Sequence, residues 1–304
     1  MTSVLLTLQR LVPLAAGLAI GFPVVAFLCW ASSPTLLYSL LPSTGTVKPS
    51  TMAAAFTCGL SLWLQADEQA ITPTRRRMAQ GFAGLACLLA TATMLEYLLS
   101  LDLGVDLWLA STPDMGGDSH PGRMAPATTF AIFMLGLALL RLDSKQGGHE
   151  DASHYLALLG GTVGAIALVG YLYGVQTLYK VGTSNTISVF SAALLLTLGL
   201  GILSARPTRG FMATLTSDDL GAVMLRRVLP FAIALPILAG WIRIAAQRSG
   251  RYDFNFGVAL AVAAVMLIIL AFLWSLAGNL NRSDGQKKHI MQILQQREAR
   301  HRLA

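Results

Sequence analysis

Apolar residues in this chain come in long unbroken runs, not in the every-third-or-fourth rhythm of a helix lying on a soluble core. Eight such runs fall at about 11–31, 49–66, 78–100, 125–141, 155–174, 187–204, 228–246 and 256–280. Each is close to the roughly 20 residues an α-helix needs to cross the hydrocarbon core of a bilayer. The segments between them, Gln65 to Arg77, Thr112 to Arg123, Asp143 to His154 and Gln176 to Asn185, are rich in charged, Gly and Ser residues and read as loops. The pattern predicts an all-α integral membrane protein, a bundle of about eight transmembrane helices over residues 1–280. A polar, helix-prone tail follows at 281–304, where Ile290, Met291, Ile293, Leu294 and Leu303 recur among Gln, Arg, Lys and Glu. That tail is too short for the three or four heptads that would establish a coiled coil.

Composition sharpens the reading. The 304 residues are 54% hydrophobic and only 12% charged, about half the charged share of a soluble domain. The first run, Leu11 to Ala31, is too long for a signal-peptide core and is expected to stay as a retained span. A net charge of +7 would suit a nucleic-acid binder if it were clustered. Instead the basic residues stand singly or in short groups beside the apolar runs, and no nucleic-acid partner is expected. With the N-terminus inside, 16 of the 22 Lys and Arg residues face the cytoplasm, among them Arg75 to Arg77, Arg206, Arg209, Arg226 and Arg227. The positive-inside rule then places both termini in the cytoplasm. Cys29, Cys58 and Cys87 lie inside predicted spans, are odd in number, and offer neither a disulfide framework nor a metal site.

A repeat runs through the first six spans. Pro49-Ser50-Thr51 stands ten residues before Gly59-Leu60-Ser61-Leu62, Pro126-Ala127-Thr128 stands ten before Gly136-Leu137-Ala138-Leu139, and Ser191 with Gly199-Leu200 echoes both. Duplicated helical hairpins would produce it. Gly17 with Gly21, and Gly160 with Gly164, have the four-residue spacing that lets two helix backbones approach closely, and are expected at helix contacts. Pro230 and Pro236 are expected to kink the seventh span. Phe211, Met212, Leu215, Leu220, Val223 and Met224 suggest a short amphipathic helix on the inner surface between 206 and 227.

Catalytic signatures are absent: there is no phosphate-binding glycine loop, no nucleophile elbow, no His pair at metal-ligand spacing, and no kinase or cyclase sequence. The chain is expected to hold no metal, no cofactor and no catalytic residue, with all five histidines in solvated loops or the tail. The span centres carry essentially no charge, which argues against proton- or sodium-coupled transport. Glu96 and Arg243 come nearest, toward the outer ends of their helices, where a side chain can reach the interface. Polar groups converge on that outer side: Glu96, Asp102, Asp106 and Arg123 around the third-to-fourth connection, Tyr171 and Tyr173 around the next, and Trp241, Arg243, Tyr252 and Asp253 around the last. These ten are the candidate ligand-sensing residues, although Trp and Tyr also belong at membrane interfaces for their own sake.

Several of these segments resemble a known architecture. Leu95-Glu96-Tyr97 with Asp102-Leu103-Gly104-Val105-Asp106, Pro121 to Thr128, Gly170-Tyr171-Leu172-Tyr173-Gly174, Leu215-Thr216-Ser217 and Arg226-Arg227-Val228-Leu229-Pro230 are similar to the multi-spanning N-terminal sensor region of bacterial sensor histidine kinases. Gly240 to Arg243, Gly250 to Asp253 and Asn281-Arg282 extend the likeness, which covers about residues 45–285. Related regions also precede PAS and diguanylate cyclase domains. The resemblance implies an inner-membrane input module that homodimerises and passes a stimulus through the last helix to kinase domains beyond Ala304, and thence to a response regulator. Other readings from the residues are a small transporter or channel, or an accessory membrane subunit signalling through a separate partner.

Overall fold

The computed structural model describes residues 2–32, 48–68, 71–100, 104, 122–143, 152–180 and 185–248, with five further positions between 262 and 269. Among these residues the regular structure is helical. The longer helices are α1 (Thr2–Ser32), α2 (Pro49–Leu64), α3 (Pro73–Leu99), α4 (Pro126–Arg141), α5 (Ala152–Tyr173) and α6 (Val189–Ala205), then, after the short α7 (Gly210–Thr216), α8 (Leu220–Arg248). A 3₁₀ turn at Gln176–Leu178 joins α5 to α6. Among the described residues four helices are long and apolar enough to cross a membrane, over Thr7–Cys29, Pro73–Leu99, Ala152–Tyr173 and Gly221–Ile244. The run at 256–280 and the tail at 281–304 lie outside the described residues apart from those five positions.

Helix starts follow from local chemistry. Pro49, Pro73 and Pro126 occupy the first turn, where the missing N–H has no intrahelical partner to lose. Thr72 caps α3 by accepting from the Arg75 amide at 3.3 Å, and Ser188 caps α6 by accepting from the Ser191 amide at 3.1 Å.

The chain divides into two compact units, Met1–Asp219 and Leu220–Ala304. Within the first, α1 packs on α2, α2 on α3, and so on round to α6, which packs back on α1 to close a ring. The short helices α2, α4 and α6 also touch one another, so they form a core triangle flanked by the long helices α1, α3 and α5. Burial follows this division: the most apolar stretch of each flanking helix is 33% buried, whereas α6 buries 11 of its 17 residues. The unburied flanking surfaces carry Leu14, Leu18, Leu85, Leu88 and Ile166, the apolar coat that lipid requires.

All three copies of the sequence repeat take the same place. Gly59, Gly136 and Gly199 each stand ten residues beyond the first residue of their core helix, and each meets the flanking helix of its own hairpin. A Cβ on Gly59 would lie 2.9 Å from Ala19 C, one on Gly136 2.6 Å from Cys87 Sγ, and one on Gly199 2.9 Å from Gly161 Cα. A Cβ on Gly160 would meet Leu135 of α4, and one on Gly164 the α6 backbone. Gly17 and Gly21 differ. A Cβ at either would meet nothing within 4 Å, because α1 turns Val12, Ala15, Ala16 and Ala19 inward instead. Their spacing therefore marks no helix contact within the described chain.

The stretch after α6 also departs from expectation. The amphipathic helix is the seven-residue α7, whose Met212 is buried and whose Leu215 packs against the main core cluster. Leu220, Val223 and Met224 instead open α8, which is continuous through Pro230 and Pro236. By itself α8 presents Phe231, Ile233, Leu238 and Ile242 largely exposed.

Gly164→Ala places a methyl 2.5 Å from Ala192 O and 2.8 Å from Leu196 N. Overpacking of this kind costs about 1–3 kcal/mol. Gly21→Ala meets open space and should gain about 0.5–1 kcal/mol of helix propensity. Denaturant unfolding of both variants in detergent should show the two shifts with opposite sign.

Candidate functional site

The two ends of the core triangle carry buried ion pairs, and the span between them is uncharged. At the middle of the core helices Ala55, Cys58 and Leu62, Ile132, Leu135 and Leu139, and Leu195, Leu198 and Ile202 are all essentially without exposed surface. Described buried ion pairs occur only at the N-terminal and C-terminal ends of these helices.

The N-terminal end is built around the segment Gly122 to Ala125 that leads into α4. Three successive carbonyls of this segment are each held by a different element. Ser50 of α2 donates to Gly122 O at 2.7 Å, Asn185 donates to Arg123 O at 2.6 Å, and Tyr97 of α3 donates to Met124 O at 2.8 Å. The Arg123 side chain, 5% exposed, turns back to Glu96 at 3.2 Å and lies over the Tyr97 ring, 5.5 Å from its centroid. A buried carboxylate and guanidinium offset each other's desolvation when their charges are paired in this way.

Tyr171 repeats the role of Tyr97. It lies ten residues after Gly161, as Tyr97 lies ten after Cys87, and its hydroxyl donates to Ile187 O at 2.6 Å, the carbonyl preceding the N-cap of α6. Its ring stacks on Tyr179 with centroids 4.0 Å apart. Gly170 makes room for this loop, since a Cβ there would lie 2.7 Å from Leu178 Cβ. No tyrosine occurs in α1. In that hairpin a groove of about 300 Å³ opens between α1 and α2, lined by apolar side chains including Val24, Phe27, Met52 and Phe56.

Of the ten candidate sensing residues, Glu96 and Arg123 are therefore in direct contact, and Tyr171 belongs to the same end of the bundle. Tyr173 is half-buried near the end of α5. Glu96 does not reach outward to an interface; it is 1% exposed, because Arg123 meets it inside. Trp241 and Arg243 lie on α8 in the second unit, Trp241 half-exposed and Arg243 partly buried. Asp102, Asp106, Tyr252 and Asp253 lie outside the described residues.

The C-terminal end holds a cluster whose arginines enter the sequence reading only as cytoplasm-facing charge. Arg206, just after α6, has no exposed surface. Its guanidinium donates to Asp143 Oδ1 at 2.7 and 3.1 Å, to Gln65 O at 3.1 Å and to Ala205 O at 2.7 Å. It thus reaches all three core-helix C-termini, where carbonyls lack intrahelical partners and the dipole favours a cation. Around it Arg76 donates to Asp143 O, Arg75 to Trp63 O, and Arg209 pairs with Glu68 at 2.6 Å. The repeat held a signal for this: seven residues past Gly59, Gly136 and Gly199 stand Ala66, Asp143 and Arg206, so opposite charges share one level. His154, placed in a loop by its polar neighbours, lies in the first turn of α5 and is fully buried.

No family model, curated protein or solved structure matches the chain.

Removing one partner of a buried ion pair costs about 3–5 kcal/mol, because the other charge is left uncompensated. Glu96→Leu should show that loss in denaturant unfolding, and E96L/R123L should recover most of it. Equal losses in the single and double variants would refute the pairing as the cause.

Proposed function

We propose that the chain is the membrane-embedded signal-input module of a bacterial two-component sensor histidine kinase. It sits in the inner membrane as a homodimer with eight spans and both termini in the cytoplasm, and it passes a stimulus through the last helix and the 281–304 tail to PAS and kinase domains. The ordered resemblance of Leu95-Glu96-Tyr97, Pro121 to Thr128, Gly170 to Gly174 and Arg226 to Pro230 supports this reading.

The observation that carries it is where buried charge stands in the described bundle. Arg123 with Glu96, and Arg206 with Asp143, tie helices together at the two ends, and close-packed apolar side chains separate them. Such a body suits transmission of a mechanical change along its length. A coupled transporter would need ionisable groups near mid-span to carry its ion. The separate unit beginning at Leu220 provides an element distinct from the sensing bundle through which the change leaves.

Two measurements test the reading. On a cysteine-free background, Asp67→Cys should react with a membrane-impermeant maleimide only from the cytoplasmic side, and Leu178→Cys only from the opposite side. The protein with its natural downstream sequence, reconstituted in liposomes with labelled ATP, should phosphorylate itself on histidine. Solute flux through liposomes holding this chain, without autophosphorylation of the longer protein, would replace the receptor with a transporter.

A further inference from the structure

We infer that Arg206 is an ionic latch linking the Glu96–Arg123 end of the bundle to α7, so that disturbance of the first end loosens α7 at the other. This rests on reading the module as a receptor and identifies the route by which its change of state leaves the bundle.

Both ties act on the same helices. The Gly122 to Met124 carbonyls gather α2, α3 and the segment entering α6 around the start of α4. At the opposite end Arg206 gathers Asp143 after α4, Gln65 after α2 and its own Ala205. Between them the core is close-packed, and Gly160, Gly164 and Gly199 hold neighbouring helices at backbone contact. A shift of α4 at its N-terminus therefore has no soft layer in which to dissipate before it reaches Asp143.

Next to the latch, α7 is held by few contacts. Thr216 Oγ1 donates to Pro207 O at 2.8 Å, Met212 enters the core, and Arg209, one residue before α7, reaches Glu68. Several of these begin within a few residues of Arg206, so α7 shares its anchoring with the latch, although it also touches α5 and packs Leu215 on the core cluster. The closed latch is also incompletely satisfied. Asp143 Oδ2 is buried and makes no hydrogen bond among the described residues. A carboxylate bonded through one oxygen has something to gain in a second arrangement, which is the property a two-state element needs. Four residues beyond Thr216 the second unit begins at Leu220, so release of α7 changes the freedom of the chain entering α8.

Hydrogen–deuterium exchange on the full 304-residue chain in lipid nanodiscs tests the latch. Glu96→Gln should raise exchange of the 210–216 amides by at least about fivefold, the lower end of ordinary site-to-site coupling. Asp143→Asn should raise it as much or more, and E96Q/D143N should raise it no further than D143N alone, because an opened latch no longer reports the distant end. Exchange in the middle of α2 and α4 should remain slower than that of 210–216 in every variant, since these segments open only with the whole bundle. The inference is overturned if E96Q leaves 210–216 unchanged, if the two substitutions multiply, or if α2 and α4 come to exchange as fast as α7. Where D143N does not fold, Arg206→Lys, which keeps the charge and loses the fork, replaces it under the same criteria. Autophosphorylation of the longer protein without this pattern would keep the receptor and discard the latch; the pattern in a chain that transports solute would do the reverse.

Discussion

An α-helix ends in carbonyls that nothing in the helix can satisfy, and the core of this protein brings three such ends to one place. Arg206 is what makes that convergence tolerable. Its planar fork spans an acid, a neighbouring helix's carbonyl and its own, while the aligned dipoles of α2, α4 and α6 favour the positive charge. Lysine, a point charge on a flexible stem, could not hold the same directions at once. The ring order, the triangle of short helices and the placement of α7 all presuppose that these ends can be brought together without water.

Close approach of the backbones is the second condition. In lipid there is little hydrophobic gain from pressing one apolar helix on another, so contact depends on shape and on small residues. Here a glycine in each core helix meets its own flanking partner, and Gly160 and Gly164 bring α5 against both its neighbours. The apolar surface left over faces outward on α1, α3 and α5. Buried ion pairs in the described bundle are consequently confined to its two ends, where segments such as Gly122 to Ala125 leave backbone carbonyls for side chains to take up.

Much of this was legible in the residues, and what was not has a physical reason. Unbroken apolar runs locate α1 to α6 and α8 because a helix in lipid must satisfy its backbone internally along its whole length. The ten-residue repeat announces equivalent hairpins, and the third copy is faint because Val189 replaces the leading proline, Ser191 the threonine and Ile202 the last leucine. Closure of the ring is a different matter: the meeting of α1 with α6 depends on which face each helix turns inward, and runs that are apolar all round do not encode a face. Gly17 and Gly21 show this, since their spacing is right and their side of the helix is not. Arg206 and Glu96 were misjudged for the same reason. A charge at a helix end is cheap if it faces water and costly if it faces a neighbour, and only the partner, Asp143 in one case and Arg123 in the other, tells which applies.

The ring has an implication for how the protein is made. Synthesis runs from the N-terminus, so α1 exists long before α6, the helix that completes its packing. Until then α1 rests on α2 alone, and Ala15, destined for Gly201 of α6, faces lipid, which its small apolar side chain endures without penalty. Arg206 is still later, and the acid it needs, Asp143, waits beyond the end of α4. The last helix of the ring and the cation that seals it are adjacent in the chain and arrive together. Assembly is thus delayed to a single late event, and a nascent chain stopped before residue 206 would be a set of hairpins with no common end.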